Sequence, residues 1–500
     1  MFRALHAEKR VIARDSFPLR EIICMNIGQA GVQMSNAAWE LFCVEHGIEA
    51  NGKLKLNLVD DDSTAFKTFF EELPTKNQFV PRTISVDLEP TVLDEIRKGP
   101  YRCLFHPDHL ISGLEDGANN FARGLFTVGK TKLPQVRDIL RKGVENCDML
   151  QGFFILHSCG GGTGSGFSTL MLENLALDYA KRTKFQMHMF LSPVLCSSVV
   201  EPYNTLLLAS KSMNSTDMSN LMDNEALYEI CKTNLEIARP TFSHLNRLIA
   251  RLFSDMTASL RFESSLNSDL DQLCTNLIPF PRIHFPISGY SPINSQNRAV
   301  HELWTTSQLT RDVFEVGNRL ATCDPSKGRY MSCVLQYRGD ITHQEINTAI
   351  IDIKKRKDVR FVSWSPTGFK IGVNCQPPAT ISGTMAASSK STTMLSNTTA
   401  AKDCFQDCIR RFDLLFSKRS FVHWYVGEGM EEGEFNEAKD EIDGLIKDFE
   451  EIESFEVDID NENEDQNQDA EENKEDPKDD AEEPPDNDAM TDEMQLPDDG

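Results

Sequence analysis

The run Gly160-Gly161-Gly162-Thr163-Gly164-Ser165-Gly166 constrains this chain more than any other segment. An apolar stretch, Phe153-Phe154-Ile155-Leu156, leads into it, and an amphipathic one, Phe167 to Ala180, leads out. The pattern predicts a strand, a glycine turn and a helix. A turn without side chains lets backbone N–H groups converge on an anion at a helix N-terminus, where the helix dipole also favours negative charge. A di- or triphosphate is the ligand that suits this chemistry. No Gly-Lys-Ser/Thr closes the loop, which excludes a Walker A motif. Ser165 stands where a dinucleotide fingerprint needs its third glycine. A glycine linker is the plain alternative, but linkers are rarely framed by a buried-type strand and a helix.

Five hundred residues at 40% hydrophobic content suffice for two to four domains with sizeable cores. No apolar run reaches the roughly 18 residues of a membrane span, so no membrane role is expected. Thirteen cysteines are scattered without disulfide-like or Cys-x-x-Cys spacing and read as reduced cytosolic thiols. His106-Pro107-Asp108-His109 and the pair Cys404/Cys408 lack a second ligand pair at metal-site spacing, which argues against zinc. Charge is very uneven. From Glu456 to Gly500 there are 21 acids against two lysines, so −19 of the net −26 sits there and −7 remains on the body. Nearly free of aliphatics and broken by four prolines, this segment is expected to be a disordered anionic tail that attracts basic partners and repels nucleic acid. Met1 to Pro18 reads as a separate extension. Its arginines resemble a presequence, but Glu8, Asp15 and the lack of a serine-rich stretch argue against targeting.

Along the body, Ile22 to Ile27 predicts a strand, then the turn Gly28-Gln29-Ala30-Gly31 and a helix from Val32 towards Phe42. Thr83 to Val86 is a further strand ending in Asp87-Leu88-Glu89-Pro90. A carboxylate at such a strand end lies where ligands of open α/β sheets bind and suits a Mg²⁺-bound water. Glu115 to Asn120 opens a helix-like segment, and Met187 to Leu191 is another strand, followed by a loop from Pro193 to Pro202. Alternating strands and helices imply a parallel, doubly wound α/β sheet. Pro240 starts a long helix spanning Thr241 to Leu260. Beyond it, Tyr330 to Tyr337 and Phe361 to Val373 read as strands and Ser382 to Ser396 as a loop. Helical patterns return from Lys402 to Ser417 and from Glu434 to Glu453; the second is amphipathic through Phe435, Ala438, Ile442, Leu445, Ile446 and Phe449.

The glycine loop, with the phrases Trp39 to Gly47 and Phe421 to Phe435 and the long segment after Gln376-Pro377-Pro378, resembles the tubulin family over nearly all of Arg20 to Ser454, and its α rather than its β subunits. The resemblance implies a GTP-binding domain (19–240), a central helix (241–261), an α+β intermediate domain (262–400) and C-terminal helices (401–455), framed by the extension (1–18) and the acidic tail (456–500). It implies GTP contacts at Gln29, Asp116, Asn119, Ser158, Gly160, Gly161, Gly162, Thr163, Gly164, Ser197, Glu201, Asn224 and Asn246. Phe242 takes the ring-stacking position, normally tyrosine, and Glu89 matches a magnesium-associated carboxylate. Implied too are a heterodimer with β-tubulin, head-to-tail assembly into the microtubule lattice, a place in the cytoplasmic cytoskeleton, and docking of motors and microtubule-associated proteins on the tail.

One departure bears on mechanism. In this family the α subunit presents an Asp and a Glu to the nucleotide of the neighbouring β subunit. Here Asp269 matches, but Gln272 stands where the family has its glutamate. An amide orients water yet cannot accept its proton or supply negative charge. Asp271 is one residue away, and about 100° of helical rotation turns it elsewhere. Weak activation of the partner's GTPase is therefore expected. Other differences are regulatory: Leu58 occupies the register of the family's acetylated lysine, and Asp498-Asp499-Gly500 replaces a terminal tyrosine. The alternatives are a relative that sequesters β-tubulin without polymerising, and a GTPase acting on its own bound nucleotide.

Overall fold

A computed structural model describes residues 20–55, 65–73, 78–190, 192, 195–262, 264–266, 269–299, 304–381 and 385–472, with only the backbone of 265 and 455–472. The expected extension before residue 19, Leu58 and the end of the tail lie outside these residues. Among the described residues eleven strands form one sheet in the order β5-β4-β1-β6-β7-β8-β10-β13-β11-β12-β9, numbered along the chain. Its strands are β1 (Glu21–Ile27), β4 (Thr83–Asp87), β5 (Leu110–Ser112), β6 (Leu150–Ser158), β7 (Thr183–Phe190), β8 (Met218–Asp223), β9 (Ser264–Leu266), β10 (Ile287–Ser291), β11 (Tyr330–Arg338), β12 (Phe369–Asn374) and β13 (Ser391–Thr398), while β2 (Phe70–Leu73) and β3 (Gln78–Pro81) pair apart from it. From β5 to β8 every pairing is parallel. The expected parallel α/β sheet is therefore present, but it does not stop there. Beyond β8 the sheet continues through a parallel contact with β10 into antiparallel β13 and β11.

Strand faces alternate, and both are covered, as parallel sheets require. On β6, Phe153 and Ile155 enter one core, whereas Phe154 and Leu156 enter the other. The first core is closed by α3 (Val128–Glu145), α4 (Ser168–Asp178), α5 (Glu201–Ser212), α11 (Lys402–Phe416) and α13 (Gly433–Glu472). The opposite core holds α1 (Gly28–His46), α2 (Thr91–Lys98), α6 (Asn224–Thr233), α7 (Phe242–Met256) and α8 (Leu270–Leu277). The six apolar positions from Phe435 to Phe449 are all buried, so the helical spacing read from sequence is the packed face of α13.

Several elements differ from expectation. Helix α1 begins at Gly28 rather than after Gly31, because Gly28 takes φ +72° and turns the chain directly into the helix. The central helix ends at Met256, and a short turn, Ala258–Arg261, follows. Phe361 makes only an isolated bridge to Tyr330; Pro366 and the left-handed Gly368 (φ +67°) delay β12 to Phe369. The loop expected over Ser382 to Ser396 is corrected: Ser391–Thr398 is the fully buried strand β13, paired on both sides. Its hydroxyl side chains hide the alternation, and the neighbours supply what propensity does not. The helical backbone of α13 also continues to Glu472, past the expected boundary at Glu456, although the compact unit ends at Glu453. Extending an existing helix adds one bond per residue fixed and needs no new nucleus.

Candidate functional site

The parallel strands run outward in both directions from the β1–β6 pair, so their C-terminal ends form a topological switch point. Two glycine turns meet there. A Cβ on Gly28, after β1, would stand 3.1 Å from the backbone nitrogen of Gly164, after β6. Within the heptad the glycines serve different ends. Added Cβ atoms would strike Glu201 from Gly160 (2.6 Å), the Gly117 carbonyl from Gly162 (2.3 Å), the Ser158 carbonyl from Gly164 (2.4 Å) and the Phe121 carbonyl from Gly166 (2.2 Å). Gly161 alone of the five faces open space. The loop then enters a single π-helical turn, Thr163–Phe167, before α4. Ser165 holds this turn closed, its N–H and its Oγ donating to the Gly161 carbonyl at 3.0 and 2.5 Å.

Asn204 ties the neighbouring loops to this turn. Fully buried on α5, its Nδ2 donates to the carbonyls of Asn119 (2.7 Å) and Gly160 (2.8 Å), while its Oδ1 accepts from the Phe121 N–H and the Tyr425 hydroxyl. Asn119 and Ala118 are left-handed, with φ of 51° and 48°. Glu201 accepts from the Ser197 N–H at 3.1 Å, and burial raises its carboxyl above the ordinary value against the pull of the Ser197 and Ser198 amides. Sequence reasoning passed over Asn204; its one signal is an amide on the apolar face of a helix.

At the end of β4, Asp87 is buried, and that burial pushes its carboxyl up to about 7 despite backbone N–H donors from Glu89 and Leu88. Glu89 itself is exposed and accepts from the Thr91 hydroxyl at 2.5 Å. Asp116 is also exposed. Asn224 opens α6 directly after β8, behind the Asp223 cap that accepts from the Ala226 N–H at 2.8 Å. Phe242 and Asn246 stand on the first turns of α7, whose Thr241 and His244 form a capping box.

Gln29, Glu89, Ser158, Gly160 to Gly164 and Asn224 therefore follow the C-terminal ends of four parallel strands, with Asn119, Ser197 and Glu201 bonded or packed against them. Two predicted residues lie elsewhere. Leu270 of α8 packs where a Cβ on Gly152 would sit, at the start of β6, and Asp271 accepts from Thr183 at the start of β7. Asp269 and Gln272 thus stand at the opposite edge of the sheet, a strand length of roughly 25–30 Å away. Asp269 is ion-paired with Arg20 at 2.8 Å, and Gln272 is exposed. Burial raises the Asp269 carboxyl, with Arg20 pulling it down.

The donors fit a phosphate ligand. Neither Gly160 nor Gly161 donates its N–H to another described residue, and the open side of Gly161 is the place a Cβ would fill. Comparison with known proteins agrees with this geometry. Residues 21–232 match the Tubulin/FtsZ family, GTPase domain, which implies GTP binding. Residues 281–410 match the Tubulin C-terminal domain. Between them these matches take in both glycine turns, the whole parallel half of the sheet and most of its continuation, and the chain belongs to the tubulin family.

Proposed function

We propose that this chain is an α-type tubulin, a GTP-binding structural subunit that pairs with β-tubulin and polymerises head to tail into cytoplasmic microtubules. The observation that carries the reading is the meeting of the two glycine turns, with Gly161 open, at the switch point of the sheet. On this reading Gly160 to Gly164 and Thr163 cradle the phosphates through backbone N–H groups, with Gln29, Asp116, Asn119, Ser158, Ser197 and Glu201 around them. Asn224 and Asn246 read the base and Phe242 stacks on it. Glu89 would hold Mg²⁺ through a water, and the ion would supply neutralisation of phosphate charge. The domain limits 19–240, 241–261, 262–400 and 401–455 belong to the same proposal. So do motors and microtubule-associated proteins as partners of the acidic tail.

The position of Asp269 and Gln272 supports head-to-tail action. At the edge opposite the glycine turns they do not reach the chain's own nucleotide, but they suit that of the next subunit. Both nearby carboxylates are engaged within this chain, Asp269 by Arg20 and Asp271 by Thr183. Gln272, next to Asp271 and exposed like it, offers an amide where the family has its glutamate, and weak activation of the partner's hydrolysis follows. Extraction of nucleotide from the purified chain with its partner tests the binding reading: one guanine nucleotide per chain is expected, and recovery of none sinks it. Pelleting with assembled microtubules tests assembly, and dimer that stays in the supernatant would favour a sequestering role instead.

A further inference from the structure

Four hydrogen bonds converge on the side chain of Asn204, and they use its two N–H donors and both lone pairs of its oxygen. The donors hold the Asn119 and Gly160 carbonyls, while the oxygen takes the Phe121 N–H at 3.1 Å and the Tyr425 hydroxyl at 2.7 Å. Asn204, Phe121 and Tyr425 are all buried, so water does not compete for these bonds. A rotated amide would set its oxygen against two carbonyls and its N–H groups against two donors. Its orientation is therefore fixed. The bond to Gly160 has a consequence one residue on. In a trans peptide the C=O and N–H of the shared plane point in opposite directions. Drawing the Gly160 carbonyl onto α5 turns the Gly161 N–H away from that helix, at the one glycine of the heptad that faces open space. Tyr425 brings in a second segment, the short helix Val422–Gly427. The loops around the glycine turn hold this segment at further points. Asn120 Nδ2 donates to the Trp424 carbonyl at 3.0 Å, and Arg123 and Thr127 donate to the two carboxylate oxygens of Glu428 at 3.1 and 2.6 Å.

We infer that Asn204 is a positioning residue of the phosphate turn, and that Tyr425, 221 residues along the chain, sets its orientation. The inference rests on the nucleotide reading above and adds to it the contact that aims one of its donors. On this assignment Asn204 touches no phosphate; it holds the peptide whose N–H does. Because the amide is oriented from Val422–Gly427, a shift of that helix changes how tightly nucleotide is held, and bound nucleotide favours one placement of the helix by the same free energy.

The test is the half-life of bound guanine nucleotide in the full-length chain with its partner, followed after free nucleotide is removed. Tyr425→Phe keeps the ring and removes only the donor to Asn204, and should shorten that half-life about tenfold, the worth of one buried hydrogen bond. Tyr203→Phe is the matched control. Its hydroxyl donates to the Ser420 carbonyl at 2.9 Å and its ring packs edge-on against Tyr425, but it makes no bond to Asn204. It should lower the unfolding midpoint by a similar amount and leave the half-life unchanged. Asn204→Ala should shorten the half-life, and in that background Tyr425→Phe should add nothing, because the amide it orients is gone. Equal shortening by both tyrosine variants, no shortening by Tyr425→Phe, or a further shortening in the Asn204→Ala background overturns the inference and leaves the nucleotide reading standing. A guanine nucleotide count in the unaltered complex no higher than the partner contributes overturns the nucleotide reading, and the inference with it.

Discussion

At Gln272 one atom pair changes the chemistry of an exposed helix face. On the proposed reading, a general base or its negative charge is missing where the partner's attacking water would lie, which typically costs about 10²–10⁴ in rate. Phosphate release during assembly should therefore be slow with this chain and rise on Gln272→Glu. Equal rates would mean that Asp269 or Asp271 already does the work. Asp87 gives a second prediction at this scale. Burial lifts its carboxyl from 3.8 to about 7, so the fold favours the protonated form. That contribution is complete below about pH 4 and is lost as pH rises through 7. Asp87→Asn should accordingly be more stable than the parent at pH 8, by at most about 4 kcal/mol, and equal to it near pH 4. Denaturant unfolding at the two pH values reads this directly, and a constant difference between them would contradict it.

Among elements, the β1–α1 and β6–α4 units decide the site, and their closeness rests on glycines. A Cβ on Gly31 would stand 2.1 Å from the Leu156 carbonyl, so α1 lies against β6 only because that position is bare. Gly31→Ala should push helix and strand apart and cost about 1–3 kcal/mol, seen as a lower denaturant midpoint, with weakened nucleotide retention. The strand, the glycine turn and the helix behind it were legible in sequence because each has its own local signature: apolar run, bare backbone, helical period. What no local pattern gave was which glycine faces open space. Gly160, Gly162 and Gly164 are occupied by Glu201, the Gly117 carbonyl and the Ser158 carbonyl, partners up to 45 residues distant in the chain, and only the packed fold reserves Gly161 for open space.

Across the whole molecule, a buried charge cluster joins the nucleotide half of the sheet to its continuation. Glu45 at the end of α1 pairs with Arg261 (2.6 Å) and with Arg338 of β11 (2.9 Å), and Arg338 also pairs with Asp255 of α7 (2.8 Å). Burial opposes the Glu45 charge most strongly, yet the two guanidinium groups and the Ser254 hydroxyl overrule it and hold the carboxyl well below the usual range. Glu45→Gln would leave two buried arginines sharing one carboxylate and should cost about 3–5 kcal/mol in thermal or denaturant unfolding. An unchanged midpoint would mean water reaches the cluster. Removal of 456–500 is expected to leave stability nearly unchanged: the net charge goes from −26 to −7, but the last buried apolar residue among the described side chains of α13 is Phe449, so the melting temperature should move by less than about 2 °C. The sequence by itself determined the phosphate-type turn, the α/β class, the amphipathic face of α13 and the amide at Gln272, since each is written in neighbouring residues. Tertiary structure alone decided that β13 is a strand, that the eleven described strands form one sheet, that Asn204 ties Asn119 and the glycine loop to Tyr425 and that Glu45 meets Arg338 across 293 positions. Those features depend on partners far apart in the chain, and only burial, which removes water as the competing partner, makes such pairings selective.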